Sequence, residues 1–166
     1  MKKNTFLHKL KSFIDIGAFP KSALEYGIEF TPVDSAAKAI IKILGATSDC
    51  NVFHIMNPSL VKISHLIDTA NAFGCEITTM SDRLVSDVIL GMLADTERKH
   101  IVSAISNDLD ENNEIVLTSP IKLMSNFTDD YLCELGLTWK KFDKGYIYKG
   151  LECFKKNRIY WLTKIV

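Results

Sequence analysis

The 166 residues suit one globular domain with a real core, and 47% hydrophobic against 24% charged content argues against disorder. Twenty Lys plus Arg balance twenty Asp plus Glu, so the zero net charge gives no support for a nucleic-acid partner. No apolar run approaches the ~20 residues of a membrane span, and no signal-like apolar segment follows Met1-Lys2-Lys3-Asn4, so the expectation is a cytoplasmic protein.

In chain order, residues 4–14 read as a helix, with Leu7, Leu10, Phe13 and Ile14 on one side and Asn4 able to cap it. Gly17 and Pro20 end it in a turn, and 21–28 reads as a loop. Phe30 opens an extended segment, because Pro32 fixes its own φ and biases Thr31 away from the α region. Asp34 is the expected N-cap of the next helix, Ala36, Ala37, Ile40, Ile41 and Leu44 its apolar face, and Gly45 its left-handed stop.

Val52-Phe53-His54-Ile55-Met56 is nearly all apolar and reads as a strand buried on both faces, ended by Asn57-Pro58. His54 within it is either a core histidine bonded to backbone or a polar group facing a cleft. Ser64 is expected to cap a helix carrying Leu66, Ile67, Ala70 and Phe73, stopped by Gly74, and 76–80 reads as an edge strand. Residues 29–80 therefore predict an α/β layer with parallel pairing.

From Ser81 to about Leu109 the pattern is a helical hairpin, with Leu84, Val85, Val88, Ile89, Met92 and Leu93 crowded on the first helix and Thr96 as cap of the second. It either covers the sheet or forms a lid. An acidic surface loop over 108–114, a short strand over 115–117, a helix capped by Thr128 and stopped by Gly136, and a helix from Lys144 to about Lys156 capped by Asp143 complete the chain. The expected organisation is one domain over 1–166: a strand/helix layer (1–80), the hairpin (81–109), and C-terminal helices with a tail (110–166). The fold class is α/β, with a small, partly parallel sheet.

Cys50, Cys75, Cys133 and Cys153 have no Cys-x-x-Cys spacing and read as free thiols; His8, His54, His65 and His100 are scattered, so no metal site is expected. No glycine pair has Gly-x-Gly or Gly-x-x-Gly spacing, so the chain has no dinucleotide loop of its own. One Tyr-x-x-x-Lys exists, Tyr160 and Lys164, at the far end and without a cofactor loop before it. No Gly-x-Ser-x-Gly elbow supports hydrolase chemistry.

Several segments together resemble one family. Phe30-Thr31-Pro32-Val33-Asp34 followed by Ala37-Lys38-Ala39-Ile40 is similar to the point where extended short-chain dehydrogenases leave the nucleotide-binding fold for the substrate domain. With Ile16-Gly17-Ala18-Phe19-Pro20 upstream, Asn51-Val52-Phe53-His54-Ile55-Met56-Asn57-Pro58 downstream, and Phe127-Thr128, Tyr131-Leu132, Gly136-Leu137 and Trp139 near the end, the chain resembles the C-terminal, substrate-binding part of the thioester reductase domains that end many nonribosomal peptide synthetases.

The resemblance implies a full-length enzyme that uses NADPH or NADH to release a thioester from a phosphopantetheine-bearing carrier domain as an aldehyde or alcohol. It implies two partners, that carrier domain and the nucleotide-binding half of the reductase. No cofactor is expected on this chain alone, and no catalytic residue within it. The implied substrate lining is Gly17, Phe19, Pro20, Phe30 and Pro32 with Leu84 and Val88 above, although Phe19 equally reads as a core residue, and Asp34 is a structural cap. Left without its other half, that wall would be exposed, so self-association is expected. Two rivals stand beside this reading: a protein-interaction module unrelated to reductase chemistry, and a small independent enzyme using Tyr160 and Lys164.

Overall fold

The computed structural model describes residues 5–117 and 124–156. In chain order the elements are α1 (Thr5–Ile16), β1 (Ala18–Pro20), a 3-10 turn (Lys21–Ala23), β2 (Gly27–Ile28), α2 (Val33–Leu44), β3 (Val61–Lys62), α3 (Ile63–Ala72), β4 (Thr78–Met80), α4 (Asp82–Ala94), α5 (Lys99–Val102), a second 3-10 turn (Ser106–Asp108), α6 (Asn126–Glu134) and α7 (Lys144–Lys156). This is the mixed α/β class expected. The chain forms two compact units that interleave along the sequence: the first takes the described residues of 1–25, 63–118 and 144–166, the second those of 26–62 and 119–143.

The first unit is built on a parallel strand pair. β1 aligns with β4 in the register Ala18↔Thr78, Phe19↔Thr79 and Pro20↔Met80. The segment 17–20, expected as a turn only, thus supplies a strand. Gly17 makes this possible: it ends α1 at φ +65°, which turns the chain straight into β1, and its carbonyl accepts the Thr78 N–H at 2.9 Å. All three β1 residues are buried, with α1 and α4 packed against the strand. Phe13 of α1 meets Phe19 with ring centroids 4.6 Å apart.

α4 buries Val85, Ser86, Ile89 and Met92, a 3.6-residue stripe. Ser81 caps it, its hydroxyl accepting the Leu84 N–H. Ser86 is buried yet satisfied: its hydroxyl donates to the Asp82 carbonyl and accepts the Ile115 N–H, each at 2.9 Å. The expected hairpin partner is short. The Asp95 carboxylate, not Thr96, receives the N–H groups of Glu97 and Arg98 ahead of α5. α5 lies against α1, where the Ser12 hydroxyl donates to the Ile101 carbonyl and Lys9 pairs with Asp108 at 2.6 Å. The acidic loop is exposed, closed by the Asp110 carboxylate accepting the Asn112 and Glu114 N–H groups; those bonds hold the Asp110 carboxyl below its ordinary pKa. Only Ile115 of the expected strand 115–117 pairs, in a bridge to Leu109. α7 packs on α3 through buried Ile147 and Leu151, with Tyr148 edge-on to Phe73.

The second unit has an antiparallel pair, Gly27↔Lys62 and Ile28↔Val61, so the expected parallel pairing does not extend here. Its core is small: Ala39, Leu132 and Leu137, with Ile43, Ile55 and Trp139 packed around them. α6 starts at Asn126, two residues before the expected cap; Thr128 is buried and its hydroxyl accepts the His54 N–H at 3.0 Å. That bond explains a second difference. The run 52–56 forms no strand, because the backbone donor at its centre is satisfied by a side chain instead of a ladder. Val52 and His54 are exposed, so His54 is not the core histidine weighed above, and Phe53 stacks with Phe127 and Tyr131. The Lys42 ammonium donates to the Leu135 carbonyl, satisfying the end of α6 where Gly136 turns the chain at φ +71°.

Candidate functional site

The implied substrate lining divides between the two units. Gly17, Phe19, Pro20, Leu84 and Val88 belong to the first; Phe30 and Pro32 belong to the second. Within the first unit, β1 lies beneath α1 and α4, so Phe19 is only 5% exposed and Pro20 is buried as well. The expectation of an exposed wall at these two positions is therefore corrected: strand pairing on one edge and helices over the side chains close it. Gly17 approaches backbone, not solvent, since a Cβ there would meet the Glu76 carbonyl at 3.2 Å. Leu84 and Val88 sit one turn apart on α4, off its buried stripe; Leu84 is half-exposed and Val88 intermediate. These two are the accessible apolar positions of the expected set in this unit.

In the second unit, Phe30 is half-buried against Phe142, ring centroids 5.6 Å apart. Pro32 (φ −60°, ψ 135°) holds the N-cap position of α2, and its carbonyl accepts the Ser35 and Ala36 N–H groups. Asp34 is thus one turn-position inside the helix and makes no cap bond, which corrects the sequence expectation. A proline at the cap position leaves no side-chain acceptor there, and its carbonyl takes the first bonds of the helix. The Asp34 carboxylate instead pairs with Lys140. The Lys140 hydrogen bond, chiefly, holds its carboxyl below the usual 3.8. In the first turn it also suits the helix dipole.

One residue matters more than its sequence context suggested. Asn57, expected only to end a strand, is fully buried. Its Nδ2 donates to the Lys140 carbonyl at 2.9 Å, its Oδ1 accepts the Ser59 N–H at 3.0 Å, and its backbone N–H donates to the Thr31 hydroxyl at 2.8 Å. The Thr31 hydroxyl donates in turn to Glu29. Asn57 therefore ties the entry to α2 to the segment after α6, on the Phe30–Pro32 side of the unit. The sequence signal was the Asn-Pro pair, a polar residue closing an apolar run.

Two helix starts of the first unit differ from the turn that holds a dinucleotide's pyrophosphate. A pyrophosphate needs free N–H groups at a glycine-lined strand-to-helix turn. At the β4–α4 junction the residues are Met80-Ser81-Asp82, with no glycine. The Ser81 hydroxyl occupies the Leu84 N–H, and the Asp82 carboxylate, which accepts the Ser22 N–H, adds negative charge at this helix start. At the start of α3 the Ser64 N–H already donates to the Leu24 carbonyl. Tyr160 and Lys164 lie outside the described residues. Among the described residues no group of three or more His, Cys, Asp or Glu could hold a metal, Cys50, Cys75 and Cys133 are free thiols, and no helix is long and apolar enough to cross a membrane.

No family model and no curated protein matches this chain. Solved structures do. A thiolation-reductase di-domain from an archaeal non-ribosomal peptide synthetase matches with TM-score 0.75 and 21% identity, over 95% of this chain and 32% of that one. The terminal R domain from the myxalamid PKS-NRPS biosynthetic pathway matches with TM-score 0.76 and 17% identity, over 95% of this chain and 40% of that one. The reductase domain of the aureusimine biosynthetic cluster matches with TM-score 0.70 and 16% identity, with the same two coverages, 95% and 40%. The chain thus spans between about a third and two-fifths of the length of these structures. Over nearly its whole described length it has the fold of one part of a terminal reductase domain.

Proposed function

We propose that this chain is the C-terminal, substrate- and carrier-facing portion of an NAD(P)H-dependent thioester reductase, acting in the release of a carrier-bound acyl or peptidyl thioester as an aldehyde or alcohol. The observation that carries this reading is the fold match: 95% of the chain aligns with three terminal reductase domains while covering no more than 40% of any of them. The order of the Phe-Thr-Pro-Val-Asp, Asn-Pro and Gly-Leu-x-Trp segments supports the same reading. In it, the nucleotide-binding half of the reductase supplies the cofactor site and the general acid. The poor fit of the β4–α4 junction to a pyrophosphate supports that division of labour. This chain contributes apolar contacts to the substrate arm from Leu84 and Val88 on α4.

The test is binding of a carrier domain loaded with an acyl-phosphopantetheine arm. Saturable binding that weakens about tenfold or more when Leu84 and Val88 are changed together to Asp is the expected result, since two desolvated apolar contacts are each worth on the order of 1.5 kcal/mol. Absence of binding, or binding identical with an unloaded carrier, refutes the arm contact. The chain mixed alone with NADPH and an acyl-phosphopantetheine thioester should leave nicotinamide absorbance unchanged; steady oxidation refutes the division of labour. A second reading, a non-catalytic interaction module, draws on the exposed apolar residues of the second unit, and carrier-independent capture of another protein through that surface favours it.

A further inference from the structure

We draw no further inference here: the strongest candidate, the ring cluster of Phe53, Phe127 and Tyr131 with neighbouring Val52 on the surface of the second unit, is an unpartnered apolar patch, and nothing in the structure shows what covers it.

Discussion

Replacing Asn57 by Ala should destabilise the second unit by about 2–3 kcal/mol. The side chain makes two hydrogen bonds, to the Lys140 carbonyl and from the Ser59 N–H, and each contributes about 1 kcal/mol net. The bond from its backbone N–H to Thr31 survives the change. Stranding a buried partner would add ~1–3 kcal/mol. Here, however, Lys140 is exposed and Ser59 is half-buried, so water can reach both groups and this addition stays small. The void left by the fully buried amide brings the total above the bare two bonds. Asn57→Asp should be worse than Ala at neutral pH, because it sets a buried carboxylate against the Lys140 carbonyl. That extra cost should shrink as pH falls, since the protonated acid can donate where the amide did. In a Trp161→Phe background, urea unfolding followed by fluorescence of Trp139, which packs against this unit's core, reads the effect locally, with far-UV circular dichroism reporting the whole chain. In a thermal melt the Ala substitution should lower Tm by roughly 4–12 °C for a chain of this size. An Asn57→Ala protein within about 0.5 kcal/mol of wild type, or an Asp substitution milder than Ala at neutral pH, would refute the reasoning.

Two further outcomes follow from single contacts. Asp34 has a folded-state carboxyl pKa below 3.8 because of Lys140, so its contribution to stability is present above 3.8 and lost as pH falls through the lower folded value. The stability difference between wild type and Asp34→Asn should thus be greatest at neutral pH and vanish in acid, and high salt should reduce it; a pH-independent difference contradicts the ion-pair assignment. Gly17→Ala should cost about 1–2 kcal/mol, because φ is +65° and the new Cβ would stand 3.2 Å from the Glu76 carbonyl, backbone that cannot rotate away. Thermal unfolding checks it, and a neutral result would mean the β1 entry is not strained by a side chain.

Much of the chain was readable from local pattern. Helix positions for α1, α3, α4, α6 and α7 followed from 3.6-residue spacing and from stops at Gly17, Gly74 and Gly136, each of which takes positive φ. Gly45 stops α2 as expected but stays right-handed, at φ −86°, because the bond from its N–H to the Ile41 carbonyl continues the helical pattern. The expected lining was legible as a set of residues near two turns. Whether Phe19 was wall or core stayed open between two readings, and the burial of Phe19 and Pro20 was decided by α4, more than sixty residues away in sequence.

The sequence by itself determined where the chain turns and which stretches are helical, since capping, proline geometry and glycine's freedom act over a few residues. It also carries no Gly-x-Gly or Gly-x-x-Gly spacing, which is a matter of composition alone. Tertiary structure alone decided which face of each element is buried and which strands pair. On α2 the periodicity correctly marked one apolar stripe, but core packing took the opposite side, with Ala39 against Leu132 and Leu137. In the run 52–56 the hydrophobic pattern favoured a strand, yet a threonine 74 residues later took the central backbone donor. Hydrophobic pattern says only that a stripe is apolar; which stripe meets a partner, and whether a backbone donor finds a strand or a side chain, depends on groups that only the fold brings within reach.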